Sequence, residues 1–294
     1  MRKSNMKKNL SIVSVTCFIV LAFYTIALFL LMYLAIVTSL KGSFDLVANN
    51  RLSLPKTWEF VNYADAFKLY KLQATNGRYI YLHEMFLNSL LYSVGCAALS
   101  AIVPCIVAFL IAKYNFWFNK VIYTTVIVAM TLPIVGSLPS EVVVINSLGL
   151  YNSIFGMWIH NSTYLGMYFL VYYATFKSFS KEYMESAFID GASHYRVLLS
   201  IVLPLVKTTI FAVFILQFVA FWNNYQAPLI YLPDHPTAAT GLFRAIKLPS
   251  TEVGSGRANV KMAGCMMLCA PILILFIACR NIFMGNLSVG GLKG

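Results

Sequence analysis

Six apolar blocks, each longer than twenty residues, constrain this chain more than any other feature. They run over about 12–40, 87–112, 121–145, 155–176, 205–227 and 260–284. A helix needs about 20 residues to cross about 30 Å of hydrocarbon, so each block is long enough to span. Lipid offers backbone groups no hydrogen-bond partner, which leaves only helices and closed barrels. Barrel strands alternate over about 10 residues, a pattern absent here. Only 11% of the residues are charged and 60% are hydrophobic, against about 25% charged in soluble domains. The blocks therefore predict an all-α integral membrane protein with six transmembrane helices over 12–284.

The first block follows MRKSNMKKNL. Its apolar run is about twice the length of a signal-peptide core and no small-residue cleavage site follows, so it reads as a retained anchor. The net charge of +12 reads as loop charge on the cytoplasmic side, with no nucleic-acid partner. Cys17, Cys96, Cys105, Cys265, Cys269 and Cys279 fall in or at the ends of apolar blocks. They read as small hydrophobes, without disulfide or metal spacing.

Lysine and arginine set the orientation. With the N-terminal segment 1–11 in the cytoplasm, the inner segments hold Arg2, Lys3, Lys7, Lys8, Lys113, Lys120, Lys177, Lys181, Arg196, Lys207, Arg280 and Lys293. These crowd into roughly sixty residues with few acids, so both termini, 1–11 and 285–294, are expected inside. The third block contains Pro133, Gly136 and Pro139, which predict a broken helix. Glu141 lies just past the break, either lining a pathway or marking the outer end of a kinked helix.

Between the fourth and fifth blocks, on the inner side, segment 177–204 reads KSFSKEYMESAFIDGASHYRVLLSIVLP. Phe179, Tyr183 and Ala187 recur at helical spacing. Gly191 suits a left-handed helix end, and Ser193 can cap a second helix. There Tyr195, Leu198, Leu199, Val202 and Leu203 form an amphipathic stripe, and Pro204 leads into the fifth span. Two short helices joined by a glycine turn are expected. Such a pair either rests on headgroups or presents its small-residue DGAS knuckle to another protein.

The string ESAFIDGA followed by IVLP resembles the EAA loop of ABC-importer permeases. Glu185, Ala187, Asp190, Gly191, Ala192, Ile201, Leu203 and Pro204 match that pattern by position. Ser186 stands in place of an alanine and Arg196 in place of a frequent glutamine. LPKTWEFVNYADAF (54–67), FLNSLLYSV (86–94), FWNNYQAPLIYL (221–232) and the terminal GLKG resemble the maltose-type carbohydrate permeases, with Asn224 where an aspartate is usual. The segment 68–85 is longer than the family's short form.

The resemblance implies a permease subunit forming half of a transmembrane pathway in a bacterial inner membrane. Its implied partners are a second permease (a heterodimer), a cytoplasmic ATPase dimer and an extracytoplasmic solute-binding protein. The implied cargo is a carbohydrate of oligosaccharide size. The chain has no GxxxxGK[ST] phosphate loop, no HExxH and no GxSxG. It is therefore expected to be no enzyme, with no catalytic residue and no cofactor of its own, while its partner ATPase uses ATP. By resemblance, residues 185–192 dock on that ATPase. Trp222, Asn223, Asn224, Tyr225 and Gln226 offer aromatic faces and amides suited to sugar; an interfacial aromatic belt explains them equally. A non-sugar ABC permease is the alternative. An ion-coupled secondary transporter is less favoured, because no acid sits at the centre of any block.

Overall fold

The computed structural model describes residues 12–48, 51–132, 136–180, 182–247 and 257–289. Segments 1–11 and 290–294, together with Pro133 and Lys181, lie outside the described residues, as does the side chain of Tyr183. The chain forms two compact units. One is made from the described residues of Met1–Phe67 and Ser255–Cys269, the other from those of Lys68–Gly254 and Ala270–Gly294.

The first unit opens with α1 (Ile12–Leu40), followed by α2 (Ser43–Ala48) and α3 (Val61–Leu69). At the end of α1 the ammonium of Lys41 is wholly buried. A buried charge must find polar partners. Lys41 Nζ donates to Arg51 O at 3.2 Å and Ser53 Oγ at 3.3 Å. Asn62, inside the stretch LPKTWEFVNYADAF, donates to Ser39 O and Lys41 O. Asn259 donates to Lys41 O and to Asn62 Oδ1. Asn259 belongs to α14 (Ala258–Val289), which begins in this unit and continues in the other.

The second unit begins with an antiparallel hairpin, β1 (Lys71–Gln73) and β2 (Tyr79–Tyr81), in the register Lys71↔Tyr81. It leads into α4 (Leu82–Lys113), which packs against most of the unit. Ser89, Ser93, Cys96, Ala97, Ser100, Ala101, Cys105 and Ala108 are buried along it. Helices associate in membranes by close packing, and a stripe of small side chains lets backbones approach. At Gly95 a Cβ would overlap the Trp158 indole, whose Nε1 donates to Leu91 O at 3.1 Å.

The third expected span, 121–145, is two helices, α5 (Asn119–Thr131) and α6 (Leu138–Ser147). Gly136 takes φ +85 between them, and Pro139 sits in the first turn of α6, where its missing N–H costs nothing. The fourth, 155–176, is also divided, into α7 (Ile154–His160) and α8 (Met167–Ser178). Its interruption was not expected. The run Asn161-Ser162-Thr163 causes it: Asn161 donates to Met157 O, Ser162 to Ile159 O, and Thr163 Oγ1 accepts from Leu165 N. Such side chains compete with the helical ladder.

The chain continues through α9 (Glu182–Ile189), α10 (His194–Val197), a π-helical turn (Leu198–Val202) and α11 (Leu203–Asn223). It closes with α12 (Gln226–Tyr231), α13 (Ala238–Lys247) and α14. Among the described residues four helical stretches are long and apolar enough to cross a membrane: Ile12–Leu40, Leu82–Lys113, His194–Asn223 and Ala258–Arg280.

Candidate functional site

The segment between α8 and α11 presents a polar knuckle on an apolar base. Glu182 and Glu185 occupy the first turn of α9, where carboxylates complement the positive end of the helix. At the other end Gly191 adopts φ +78. Ala192 N donates to Ala187 O at 2.9 Å and Gly191 N to Phe188 O at 3.0 Å, the paired bonds of a Schellman cap. Ser193 starts the next helix, accepting from Arg196 N at 3.4 Å. This is half of a capping box, since the Arg196 side chain has no acceptor to return the bond. Glu185, Ser186, Asp190 and Gly191 face solvent, while Met184 and Ala187 are buried.

The buried side joins the core around Phe109, Phe169, Tyr172 and Phe176, with Phe188 and Ala192 packed on it. Phe179 also packs there, but it caps the end of α8 in extended conformation. It therefore does not share a helix face with Ala187. Lys113 Nζ donates to Phe179 O at 2.7 Å, tying the end of α4 to the start of the loop. His194 forms a second tie: Nδ1 lies 2.9 Å from the Tyr114 hydroxyl, and its ring packs at 4.8 Å on Phe188. No motif in the sequence assigns His194 this role. Its position directly after the Ser193 cap was the available signal.

The second helix of the loop differs from expectation. α10 does not stop before the fifth span but runs into α11 through the π turn, where Leu203 N donates to Leu198 O. The extra residue in that turn shifts the phase of the buried face. Val197, Val202 and Val206 are buried, whereas Tyr195 and Leu199 are exposed. The stripe built from Tyr195, Leu198, Leu199, Val202 and Leu203 assumed a uniform 3.6 period, so it is corrected. Ile201 and Leu203 are half-buried, and Pro204 is exposed. The missing N–H of Pro204 makes the local ladder irregular.

The five aromatic and amide candidates do not form one surface. Trp222 is 3% exposed and stacks on Phe218 at 5.7 Å, with Phe86 at 6.1 Å. Tyr225 lies beyond the end of α11 and stacks instead on Phe243 at 4.3 Å. Asn224 Oδ1 caps α12, accepting from Gln226 N and Ala227 N. Asn223 and Gln226 are exposed. Glu141 is half-buried and accepts from the Tyr231 hydroxyl at 3.2 Å.

Sequence reading also missed a polar knot beyond α12. Asp234 accepts from Thr75 N at 2.6 Å and Thr75 Oγ1 at 2.7 Å, and from Asn152 Nδ2 at 2.6 Å. These bonds, those from Thr75 foremost, hold its carboxyl below the usual value, because they favour the charged form. They fasten the longer segment 68–85 to the turn before α7, where Asn152 takes φ 57.

Comparison with known proteins defines the class. Residues 101–289 match the family described as binding-protein-dependent transport system inner membrane component, and the chain belongs to that family. It is an integral inner-membrane permease of the ABC-importer type, whose family works with an ATPase and a substrate-binding protein. It is 26% identical over 275 residues to the melibiose/raffinose/stachyose import permease protein MelC of Bacillus subtilis (strain 168), covering 90% of this chain and 92% of that one. It is 30% identical over 211 residues to the arabinooligosaccharides transport system permease protein AraQ of Halalkalibacterium halodurans, covering 71% and 74%. Its fold matches a crystal structure of a bacterial ABC transporter involved in the import of the acidic polysaccharide alginate. That match has TM-score 0.75 and 18% identity over 93% of this chain and 97% of that one.

Proposed function

We propose that this chain forms half of the transmembrane pathway of a carbohydrate importer, and that residues 185–192 receive the work of a separate ATPase. One observation carries the coupling role. An exposed knuckle, closed by a Schellman turn at Gly191, is anchored by its apolar side and leads without a break into the membrane-length stretch His194–Asn223. Glu185 and Asp190 are placed for charge-assisted bonds to a basic groove. Gly191 keeps the approach free of bulk, Ala187 and Ala192 let the knuckle sit close on its apolar base, and Ile201, Leu203 and Pro204 connect it to the span.

Melibiose, raffinose, stachyose and arabinooligosaccharide in the relatives' names favour an oligosaccharide cargo. Delivery falls to an extracytoplasmic binding protein, and a second permease completes the pathway as a heterodimer. Both termini, 1–11 and 285–294, and loop 177–204 lie in the cytoplasm, with six passages of the membrane between 12 and 284. The chain binds no cofactor and hydrolyses no ATP itself. Trp222 and Asn224 support the outer end of α11, which leaves Asn223 and Gln226 as the accessible amides for sugar. The test is purification with the partner subunits and measurement of ATP hydrolysis against a panel of ligand-loaded binding proteins. Stimulation by an oligosaccharide supports the reading; stimulation by non-sugar solutes alone refutes the cargo.

A further inference from the structure

Three lysines from three helices line one cavity, and among the described residues no acidic side chain lines it. The cavity, about 540 Å³, lies at the ends of α4, α5 and α8 among Lys113, Lys120 and Lys177, with Asn119, Tyr123 and Tyr173 in its wall. The Lys177 ammonium sits 5.3 Å from the centroid of the Tyr173 ring, which lies 4.9 Å from the Tyr123 ring. Lys113 and Lys177 fall in the last turns of α4 and α8, where a cation offsets the negative helix end. Lys120 does the reverse. It is in the first turn of α5, which holds no acid, so its charge adds to the positive helix end. Lys113 is tied to Phe179 O, and the charges of Lys120 and Lys177 beside it suit an anion.

The neighbouring loop indicates depth. Between α4 and α5, Trp117 is 90% exposed, and Phe116 stacks on Phe118 with centroids 5.3 Å apart. Exposed aromatics beside lysines at the ends of spanning helices mark the headgroup level. Basic pockets between helices at that level suit anionic lipid headgroups.

We propose that this cavity binds the phosphate of an anionic phospholipid headgroup, gripped by Lys120 at the start of α5 and Lys177 at the end of α8. The acyl chains run along the exposed apolar face of α5 that carries Val121 and Val128. Phe179 also lines the cavity, so the bound headgroup braces the base of loop 177–204. Only this last clause rests on the proposed function.

The experiment uses the whole transporter purified in neutral detergent. It is incubated with phosphatidylglycerol, phosphatidylcholine or inorganic phosphate, and retained molecules are counted by native mass spectrometry. Wild type retains phosphatidylglycerol in preference to phosphatidylcholine. K120Q/K177Q weakens that retention about thirtyfold, the effect of two lysines near a charged surface. Lys207, exposed on α11 and outside the cavity, supplies the control, and K207Q retains as wild type. K120Q alone weakens retention about fivefold, which keeps the test open if the double variant unfolds. Equal retention by wild type and K120Q overturns the proposal, as does equal loss in K207Q. Binding of inorganic phosphate without any preference for phosphatidylglycerol also overturns it and assigns the cavity to a soluble anion. Loss of ligand-stimulated ATP hydrolysis with lipid retention intact would count against the proposed function and leave this site standing.

Discussion

A side chain at Gly191 separates the cost of folding this chain from the cost of docking it. The backbone there sits at φ +78, where an ordinary L-residue costs about 1–2 kcal/mol. Asparagine and aspartate pay less, because they visit this region most readily. A Cβ built at position 191 meets nothing within 4 Å, so no packing penalty adds to the backbone term. Against a typical stability of about 5–15 kcal/mol, G191N and G191D both fold and reach the membrane. Docking is another matter. With the groove's cations already paired to Glu185 and Asp190, a further acid is an uncompensated charge in the interface, which costs about 3–5 kcal/mol, more than a hundredfold in affinity, and G191D places it at the tip of the knuckle. The assay pairs membrane abundance with oligosaccharide uptake and ligand-stimulated ATP hydrolysis in the reconstituted complex. The expected result is wild-type abundance with uptake abolished in G191D and reduced in G191N. G191D importing at the wild-type rate refutes the docking argument; loss of G191N from the membrane refutes the folding argument.

Three further outcomes are expected. G95A drives a methyl group into the Trp158 indole and lowers stability by about 1–3 kcal/mol, read as an earlier thermal midpoint in detergent; W158A should reverse part of that loss. H194A removes the bond to Tyr114, worth about 0.5–1.5 kcal/mol. It should speed hydrogen exchange across 186–197 and weaken coupling, whereas H194F keeps the contact with Phe188 and recovers part of both. The Asp234 carboxyl is depressed in the folded chain, so its stabilising contribution is full above the ordinary aspartate value of 3.8 and disappears as pH falls through the lower folded value. Limited proteolysis of the hairpin tip at 74–78 should therefore stay slow at neutral pH and accelerate only in strong acid; D234A should be cut quickly throughout.

What could be read from sequence followed from signals local to a few residues. Gly191 and Ser193 announced a turn and a cap because each meets a purely local steric or hydrogen-bonding need, and both occur as expected. The apolar blocks located the membrane-length helices at 12–40 and 82–113 because length and hydropathy are additive along the chain. The division at 161–166 was hidden because Asn161, Ser162 and Thr163 are tolerated in helices as well as at breaks. Which role they take depends on the carbonyls they reach. The π turn at 198–202 carries no periodic signature, and once one residue is inserted every later position changes face, so a stripe drawn at uniform spacing through the turn does not match the buried Val197, Val202 and Val206. Trp222 and Tyr225, three residues apart, would share a face on an uninterrupted helix, but α11 ends at Asn223. The knot at Asp234 joins positions about 159 residues apart, a pairing no local pattern encodes.

The unbroken path from α10 through the π turn into α11 has a mechanical meaning. His194–Asn223 contains 30 residues, which at 1.5 Å each makes a rod of about 45 Å. Rocking such a rod by about 5° about one end sweeps the other through about 4 Å, comparable to the width of a sugar ring. A flexible joint at Pro204 would dissipate that displacement within its first turn. On the proposed coupling, a continuous helix would turn a small rotation at the knuckle into a gap at its far end, without a large movement elsewhere in the chain.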